Sequence, residues 1–146
     1  MTKIFIKFLS ENVSMPKYET IGSSGMDIEA KLNKSISILP GKVEIIPTGF
    51  SLSIPKGFEV QIRPRSGLAA KNNISVLNTP GTIDADYRGE IKIILINLGK
   101  DVFIVENGLR IAQMVVCPVI KADLELVDEL TETKRGDGGF GSTGIK

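Results

Sequence analysis

The sequence predicts an all-β domain, either a sandwich or a distorted, barrel-like jelly roll, with one short helix. In residues 58–62, apolar side chains alternate with polar ones, a period of two that is typical of a half-buried strand. Residues 91–96 form a nearly continuous apolar run rich in β-branched side chains, which favours a strand over a helix. Turn signals separate such runs: Pro40-Gly41, Pro55-Lys56-Gly57, Asn72-Asn73, Pro80-Gly81, Leu98-Gly99-Lys100 and Glu106-Asn107-Gly108.

The one helix is predicted after Pro64-Arg65, where Ser66 can cap a turn that runs from Gly67 to Lys71. The last twelve residues differ in composition, because residues 135–146 contain five glycines and no strand pattern. We therefore expect a single β domain over residues 1–134, followed by a flexible, glycine-rich segment over residues 135–146.

Composition excludes several kinds of site. A chain of 146 residues can bury its own core as one domain. The net charge of +1 argues against a dedicated nucleic-acid binder, which usually has a strongly basic face. Because the chain has no histidine, Ser-His-Asp catalysis and histidine-ligated zinc or haem are excluded. The single cysteine, Cys117, allows no internal disulfide, and its apolar neighbours predict a small core residue rather than a nucleophile.

The sequence also predicts the compartment. No apolar run approaches the ~20 residues that a membrane-spanning helix needs. Lys7 interrupts the apolar N-terminal segment, which is shorter than the core of a secretory signal. We therefore expect a cytoplasmic protein without a membrane partner, whose site chemistry comes from carboxylates, arginines, hydroxyls, amides and the backbone.

Three of the five arginines lie in unusual surroundings. Arg65 precedes the predicted helix, Arg110 opens an apolar strand that ends near Gln113, and Arg135 opens the glycine-rich segment. The guanidinium fork suits phosphate oxygens, and a helix N-terminus adds backbone N–H groups that favour an anion. Two interpretations stay open. One is a polyphosphate site built from these pieces, and the other is three unrelated surface arginines. Spacing alone favours the second.

A second candidate is the acidic segment between Gly81 and Gly89, which contains Asp84, Asp86 and Tyr87. Flanking isoleucines indicate a hairpin that projects the carboxylates from a rigid base. An aromatic ring beside an acid can stack on a sugar or a base while the acid handles a proton. The alternative is a hairpin tip without function, because aspartate favours turns.

The glycine-rich segment has the composition of a lid that closes over a ligand. It combines Arg135, the lone aromatic Phe140 and the hydroxyls of Ser142 and Thr143. Backbone N–H groups and hydroxyls can hold phosphate oxygens, and a phenyl ring can cover a planar group. Ordering such a segment costs ~1–2 kcal/mol per residue in backbone entropy, so we expect it to close only over ligand.

Together these segments resemble the homotrimeric deoxyuridine triphosphatases (dUTPases) over nearly the whole chain. Five short motifs in order carry the resemblance, and each is weak alone. They are Ser24-Gly25-Met26-Asp27-Ile28, Pro64-Arg65-Ser66-Gly67-Leu68-Ala69, residues 81–89 with Ile83-Asp84-Ala85-Asp86-Tyr87, Arg110-Ile111-Ala112-Gln113, and residues 135–144.

The resemblance implies hydrolysis of dUTP to dUMP and pyrophosphate. Asp84 matches the general base that activates the water attacking the α-phosphorus, and Tyr87 matches the ring that packs under the deoxyribose and excludes a 2′-hydroxyl. Asn78 and the backbone around Gly81 match the segment that reads uracil. Which of Arg65 and Arg110 touches phosphate directly stays open. The implied substrate-binding set is Arg65, Ser66, Gly67, Asn78, Gly81, Tyr87, Arg110, Gln113, Arg135, Phe140, Gly141, Ser142 and Thr143.

The resemblance also implies a cofactor and an assembly. Mg²⁺ would be held mainly by the three phosphates and by water, with Asp27 acting through water. The site would lie between subunits of a homotrimer: one supplies the first, second and fourth motifs, a neighbour the Asp84 segment, and the third the glycine-rich lid. Two alternatives are a dCTP deaminase-like enzyme of the same fold and a non-catalytic nucleotide-binding β-trimer.

Overall fold

The strands form where the sequence alternates or runs apolar, and the turns fall at the Gly, Pro and Asn signals between them. The computed structural model describes residues 2–142. Its one helix is α1 (Ser66–Asn72). Its strands are β1 (Phe5–Phe8), β2 (Met26–Glu29), β3 (Ile36–Ile38), β4 (Val43–Ser53), β5 (Phe58–Arg63), β6 (Ile74–Val76), β7 (Gly81–Ile83), β8 (Glu90–Asn97), β9 (Phe103–Val105) and β10 (Arg110–Pro118).

These strands form three antiparallel sheets. The first has the order β1-β4-β8-β6, the second has the order β2-β10-β5-β7, and β3 pairs with β9 in a small third sheet. The expected all-β architecture with one short helix is confirmed, with a jelly-roll-like arrangement of sheets rather than a closed barrel.

The core lies between the inner faces of the sheets and is mostly aliphatic. Each large aliphatic side chain contributes ~1.5–3 kcal/mol when it is fully buried. Because opposite faces of a strand alternate, the core residues leave every second side chain pointing outward. The largest fully buried side chains include Ile28, Ile38, Ile46, Phe50, Val60, Ile91, Leu95 and Ile111.

Three local expectations were wrong. Arg65 and not Ser66 stands at the N-cap position, because the Arg65 carbonyl accepts the first helical bond, from the Ala69 N–H at 3.0 Å; the Arg65 side chain makes no capping bond. The strand that Arg110 opens continues to Pro118 instead of ending near Gln113. Cys117 is half-buried rather than in the core.

The acidic segment is not a hairpin. β7 pairs with β5 in the second sheet, whereas β8 pairs with β4 and β6 in the first. Residues 84–89, which we name the Asp84 turn, therefore cross from one sheet to the other. Turn residues between two apolar runs predict a change of direction, but not whether the two strands pair with each other.

The chain beyond β10 forms no further strand among the described residues, and residues 120–137 are exposed throughout. The division into a domain over 1–134 and a lid over 135–146 stays a prediction. Thr143, one of the predicted lid residues, lies outside the described residues. Within residues 2–142, no helix has the length and apolar character needed to cross a bilayer.

Asn97 provides a test of the fold, because its fully buried side chain joins the first sheet to the third. It donates to the carbonyls of Ile38 and Asp101, both at 2.8 Å, and accepts from the Gly99 N–H at 2.9 Å. We expect Asn97→Leu to lower the free energy of unfolding by roughly 2–4 kcal/mol, because buried partners lose their hydrogen bonds. Urea titration at fixed protein concentration measures the change. Ser75→Ala, which removes one marginal 3.5 Å bond, is the control; equal stability of the two variants would contradict the expectation.

Candidate active site

Strand β10 brings together residues that are far apart in the sequence, because it pairs with β2 on one side and β5 on the other. Gln113 lies opposite both Asp27 and Arg63. Directly paired residues share a face of a sheet, so Asp27 and Gln113 both point outward. Arg65 follows the end of β5 at the same edge, and Arg110 opens β10.

Asp27, Arg65 and Arg110 form an arginine cluster. Asp27 Oδ1 accepts from Arg65 Nε at 3.0 Å, and Oδ2 accepts from Arg110 Nη1 at 3.1 Å. Arg65 Nη1 also donates to the Arg110 carbonyl at 3.2 Å. One carboxylate therefore holds two guanidinium groups side by side and leaves the cluster with a net positive charge, the arrangement expected of an anion site. Arg65 and Arg110 are not unrelated surface residues.

Gln113 lies beside this cluster, opposite Asp27. Its amide nitrogen donates to the Pro64 carbonyl at 2.9 Å. A Cβ on Gly25 would overlap the Gln113 side-chain oxygen, so the glycine leaves the space that the Gln113 side chain occupies. Gly25 and Gln113 line an open depression of about 310 Å³, together with Asp27 and the oxygen-bearing side chains of Glu19, Ser23 and Ser24.

The start of α1 lies beside the arginine cluster, because its cap, Arg65, is a member of it. Ser66 and Gly67 are the first two helical residues, and both are exposed. The first turn carries no acidic residue. The positive end of the helix dipole and the cluster thus act on the same region.

The Asp84 turn is held by its own backbone and by two side chains. The Tyr87 N–H donates to the Asp84 carbonyl at 3.2 Å. Arg88 Nη1 folds back onto the carbonyls of Ala85 and Tyr87, at 2.6 and 2.9 Å. The Tyr87 hydroxyl donates to the Glu90 carbonyl at 3.0 Å. The exposed Asp84 carboxylate therefore stands on a rigid base, although the base is a crossover and not a hairpin.

A cavity of about 400 Å³ opens beside this turn and is lined by Thr82, Ile83, Asp84 and Tyr87, among others. Asn78 lies just before β7: a Cβ on Gly81 would come within 3.0 Å of its amide nitrogen. The structure thus brings Asn78, Gly81, Asp84 and Tyr87 into one region.

The arginine cluster and the Asp84 turn lie at opposite ends of β5. Ile83, which precedes Asp84, pairs with Val60, whereas Gln113 pairs with Arg63 and Arg65 lies beyond it. Arg65 lies five positions after Val60, a backbone separation of roughly 16 Å at ~3.3 Å per residue. A base must lie ~3 Å from the proton it removes. Within one chain, Asp84 therefore cannot act on a phosphorus atom bound at the arginine cluster.

The described part of the glycine-rich segment folds on itself. Arg135 Nε donates to the Gly138 carbonyl at 2.8 Å, and the Ser142 N–H donates to the Gly139 carbonyl at 3.0 Å. Phe140 is fully exposed, with a left-handed φ of 48°, and Gly141 follows with φ 87°. Arg135 is thus not part of the arginine cluster.

Sequence reasoning assigned no function to Arg88, which closes the Asp84 turn, or to Glu90, whose carbonyl accepts from the Tyr87 hydroxyl. Both belong to the segment that was singled out, and a charged residue on each side of Gly89 is the only signal that could have marked them. Their partners are backbone groups, which a sequence does not display.

A sequence model of the dUTPase family matches residues 11–144, nearly the whole chain. This chain belongs to the dUTPase family. It is 57% identical over 137 residues to a Brucella melitensis protein named deoxyuridine 5′-triphosphate nucleotidohydrolase, an overlap of 92% of this chain and 87% of the relative. It is 56% identical to the protein of the same name from Ehrlichia canis, over 96% of this chain and 93% of the relative.

Solved structures agree with the membership in this family. The dUTPase of Staphylococcus bacteriophage 80alpha with dUpNHpp superposes with a TM-score of 0.86 at 27% identity, covering 99% of this chain and 100% of that chain. A point variant of the same phage enzyme also gives 0.86, at 28% identity, over 96% of this chain and 98% of that chain. The recognition of the family from its five motifs is therefore confirmed.

The arginine cluster makes a prediction about stability. The side chains of Asp27 and Arg65 are 20% and 28% exposed, and that of Arg110 is 48% exposed. Partly exposed ion pairs contribute little, so we expect Asp27→Asn to lower the free energy of unfolding by only about 1 kcal/mol, and less at about 0.5 M NaCl. Chemical denaturation at low and high salt measures this.

The matched control is Glu29→Gln, two residues along the same strand face, where the carboxylate accepts only from the Ser14 hydroxyl at 2.6 Å among the described residues. A loss of several kcal/mol in Asp27→Asn, insensitive to salt, would show that the cluster is a structural element of the fold rather than a site.

Proposed function

We propose that this protein hydrolyses dUTP to dUMP and pyrophosphate, with water attacking the α-phosphorus. Its membership in the dUTPase family and the names of its relatives support the reaction. The geometry that carries the proposal is the pair of complementary groups on one chain: a positively charged arginine cluster with Gln113, and a rigid turn that presents Asp84 beside Tyr87.

The arginine cluster is proposed to bind the phosphate chain with Ser66, Gly67 and Gln113. Arg110 is the better candidate for direct contact, because it is more exposed and only one of its guanidinium nitrogens is bound within the described residues. Arg65 donates from two nitrogens to Asp27 and to the Arg110 carbonyl, so its part is to support Arg110. Preorganised guanidinium groups stabilise the charge that develops on the pyrophosphate leaving group.

The Asp84 turn is proposed to bind the nucleoside and to activate water. Asp84 acts as general base toward the attacking water and meets the sugar 3′-hydroxyl. Tyr87 packs under the deoxyribose and leaves no room for a 2′-hydroxyl. Asn78 and the backbone at Gly81 read the uracil edge, and a buried set of hydrogen bonds rejects bases that would leave it unpaired.

Mg²⁺ is the proposed cofactor, and the residues present fit it. The depression beside Asp27 is lined by oxygens of Glu19, Ser23 and Ser24, which suit a hard cation that keeps its waters. Both Asp27 oxygens accept from arginines, so Asp27 would act through water. Residues 2–142 contain no cluster of three metal-ligating side chains, which leaves the phosphates as the main ligands. When bound, the ion would neutralise charge on the triphosphate.

A homotrimer with shared sites is proposed because one chain separates its two groups. The arginine cluster of one copy must meet the Asp84 turn of another, and contacts between unlike surfaces form a ring when the rotation between copies closes, as a threefold rotation does. The outward face of the first sheet carries Val43 and Ile45, directly opposite Ile96 and Ile94. This aliphatic face borders the cavity at Asp84 and Tyr87, so a second copy packed there would lie beside the turn.

The glycine-rich segment of the third copy is the proposed lid. Its Arg135 and Ser142 would bind the γ-phosphate together with Thr143, while Phe140 and Gly141 would cover the uracil. The exposed apolar residues of the preceding segment, Ile120, Leu124, Leu126 and Leu130, are suited to packing on another copy. The proposed location is the cytoplasm, where reducing conditions suit a chain whose single cysteine is free.

The reaction is tested by following pyrophosphate and ammonia separately with dUTP, UTP, dTTP and dCTP, with and without Mg²⁺. We expect Mg²⁺-dependent pyrophosphate release from dUTP above all. Ammonia from dCTP, without pyrophosphate from dUTP, would instead identify a deaminase of this fold. Nucleotide binding without any product would identify a binding protein.

Asp84→Asn tests the base. We expect kcat on dUTP to fall by ~10²–10⁴-fold, because an amide cannot accept the proton from water. Affinity for dUTP, measured by calorimetry, should change by only a few-fold. The control is Asp86→Asn in the same turn, which should retain most activity. Equal rates in Asp84→Asn and the parent would rule out the assignment of the base.

Sharing of the site between copies is tested by mixing two inactive variants. Asp84→Asn keeps an intact arginine cluster, and Arg110→Gln keeps an intact Asp84 turn. When the two chains are unfolded together and refolded, random assembly should restore about a quarter of the sites if each site takes its groups from two chains. The control mixes Asp84→Asn with Tyr87→Ala, which damages the same turn twice and should restore nothing. Mixtures no more active than their components would show that each site lies within one chain.

A further inference from the structure

Glu90, the first residue of β8, is bound at both its side chain and its backbone. Its Oε1 accepts from the Gly49 backbone N–H at 3.0 Å. Its carbonyl accepts from the Tyr87 hydroxyl at 3.0 Å. The side chain is only 25% exposed, and its other oxygen lies 3.9 Å from Lys92 Nζ, a half-exposed pair that contributes little. Glu90 therefore links Gly49 to Tyr87.

Gly49 is a firm anchor for this link. The pairing of β4 with β8 is shifted between Pro47 and Ser51, so Gly49 lies in an irregular part of the strand. Its φ of 76° favours glycine, and an added Cβ would come within 2.8 Å of Val13 and 2.9 Å of Lys31. Its carbonyl accepts from the Leu9 N–H at 2.8 Å.

A second hydrogen bond joins the beginning of β8 to the irregular part of β4. The buried Thr48 hydroxyl donates to the Ile91 carbonyl at 2.6 Å. Thr48 and Gly49 thus hold two consecutive residues of β8, Ile91 and Glu90, against the irregular part of β4. Movement of Glu90 relative to the first sheet is restricted, and with it movement of the carbonyl that receives the Tyr87 hydroxyl.

At the other end of the link, the Tyr87 ring lies over Gly89. A Cβ on Gly89 would overlap the ring and its hydroxyl, so the ring can rest there only because residue 89 is a glycine. Tyr87 and Glu90 both line the cavity that also contains Asp84. The orientation of the ring toward this cavity is therefore set by one hydrogen bond from its hydroxyl and by the backbone beneath it.

We propose that Glu90 is a positioning residue for sugar selection: by bonding to the Gly49 N–H, it fixes the backbone that holds the Tyr87 ring where it excludes a 2′-hydroxyl. This inference rests on the proposed hydrolysis of dUTP and on the sugar contact of Tyr87. The bond to Gly49 needs an acceptor and not a charge. Glutamine can provide that acceptor and alanine cannot, which separates this function from an electrostatic one.

The experiment compares kcat/KM for dUTP and UTP in the parent, Glu90→Ala and Glu90→Gln. We expect Glu90→Ala to lower the dUTP-to-UTP ratio by about tenfold, the scale of one lost hydrogen bond at a specificity contact, with kcat on dUTP changed by less than about threefold. Glu90→Gln should restore the ratio to within about twofold of the parent. A purely structural residue would change the melting temperature or lower both activities alike, without changing the ratio.

Tyr87→Phe keeps the proposal testable if Glu90→Ala does not fold, because it removes the hydroxyl at the other end of the link. We expect a similar fall of the ratio in Tyr87→Phe alone. Where Glu90→Ala folds, the double variant should show no further fall, since both changes break the same link. An unchanged ratio in Glu90→Ala or in Tyr87→Phe overturns the proposal, as does a Glu90→Gln variant as defective as Glu90→Ala. A parent protein that releases no pyrophosphate from dUTP overturns the proposed function itself, and this inference with it.

Discussion

The site depends on one carboxylate shared by two guanidinium groups. Arg65 and Arg110 carry like charges and would repel each other if Asp27 did not accept from both. Asp27 can do so only because β10 pairs with β2 and β5 at once, which aligns Asp27 with Gln113 and Arg63. The cluster keeps a net positive charge after this internal pairing, and so it is both ordered and attractive to a phosphate chain. Order before binding matters because no part of the binding free energy is then used to assemble the groups.

The second constraint is the length of β5. Its two ends hold the arginine cluster and the Asp84 turn, and a strand is too stiff to bring its own ends together. Each chain therefore holds the two groups apart, which is why the proposed site needs a second copy. Asp84 is exposed in the single chain. Bulk water would therefore compete there with the one positioned water for proton transfer to the carboxylate. In the proposed assembly, another copy would supply both the missing phosphate-binding groups and the exclusion of water, which would couple activity to assembly.

Sequence patterns predicted what depends on local spacing. The alternation in residues 58–62 and the apolar run at 91–96 correspond to β5 and β8, since periodicity reports which face of a strand is buried.

The patterns failed where strands that are far apart in the sequence pair with each other. Spacing did not indicate that Arg65 and Arg110 meet, because their contact depends on the position of β10 between two distant strands. The same reason explains the hairpin that was expected around Asp84: the segment before it joins one sheet and the segment after it joins another. The ordered family motifs supplied the proposed site residues, but they could not display the backbone partners of Arg88 and Glu90.

In the proposed mechanism, this chain without histidine uses a carboxylate as its base. An aspartate is a weak base toward water, so its contribution depends on the position of that water more than on its basicity. Position is what the Asp84 turn provides. Arg88 closes the turn on the carbonyls of Ala85 and Tyr87, and the Tyr87 N–H donates to the Asp84 carbonyl. These contacts lie within one chain, so they form without a ligand or a second copy. The rigid half of the site can therefore be formed before assembly.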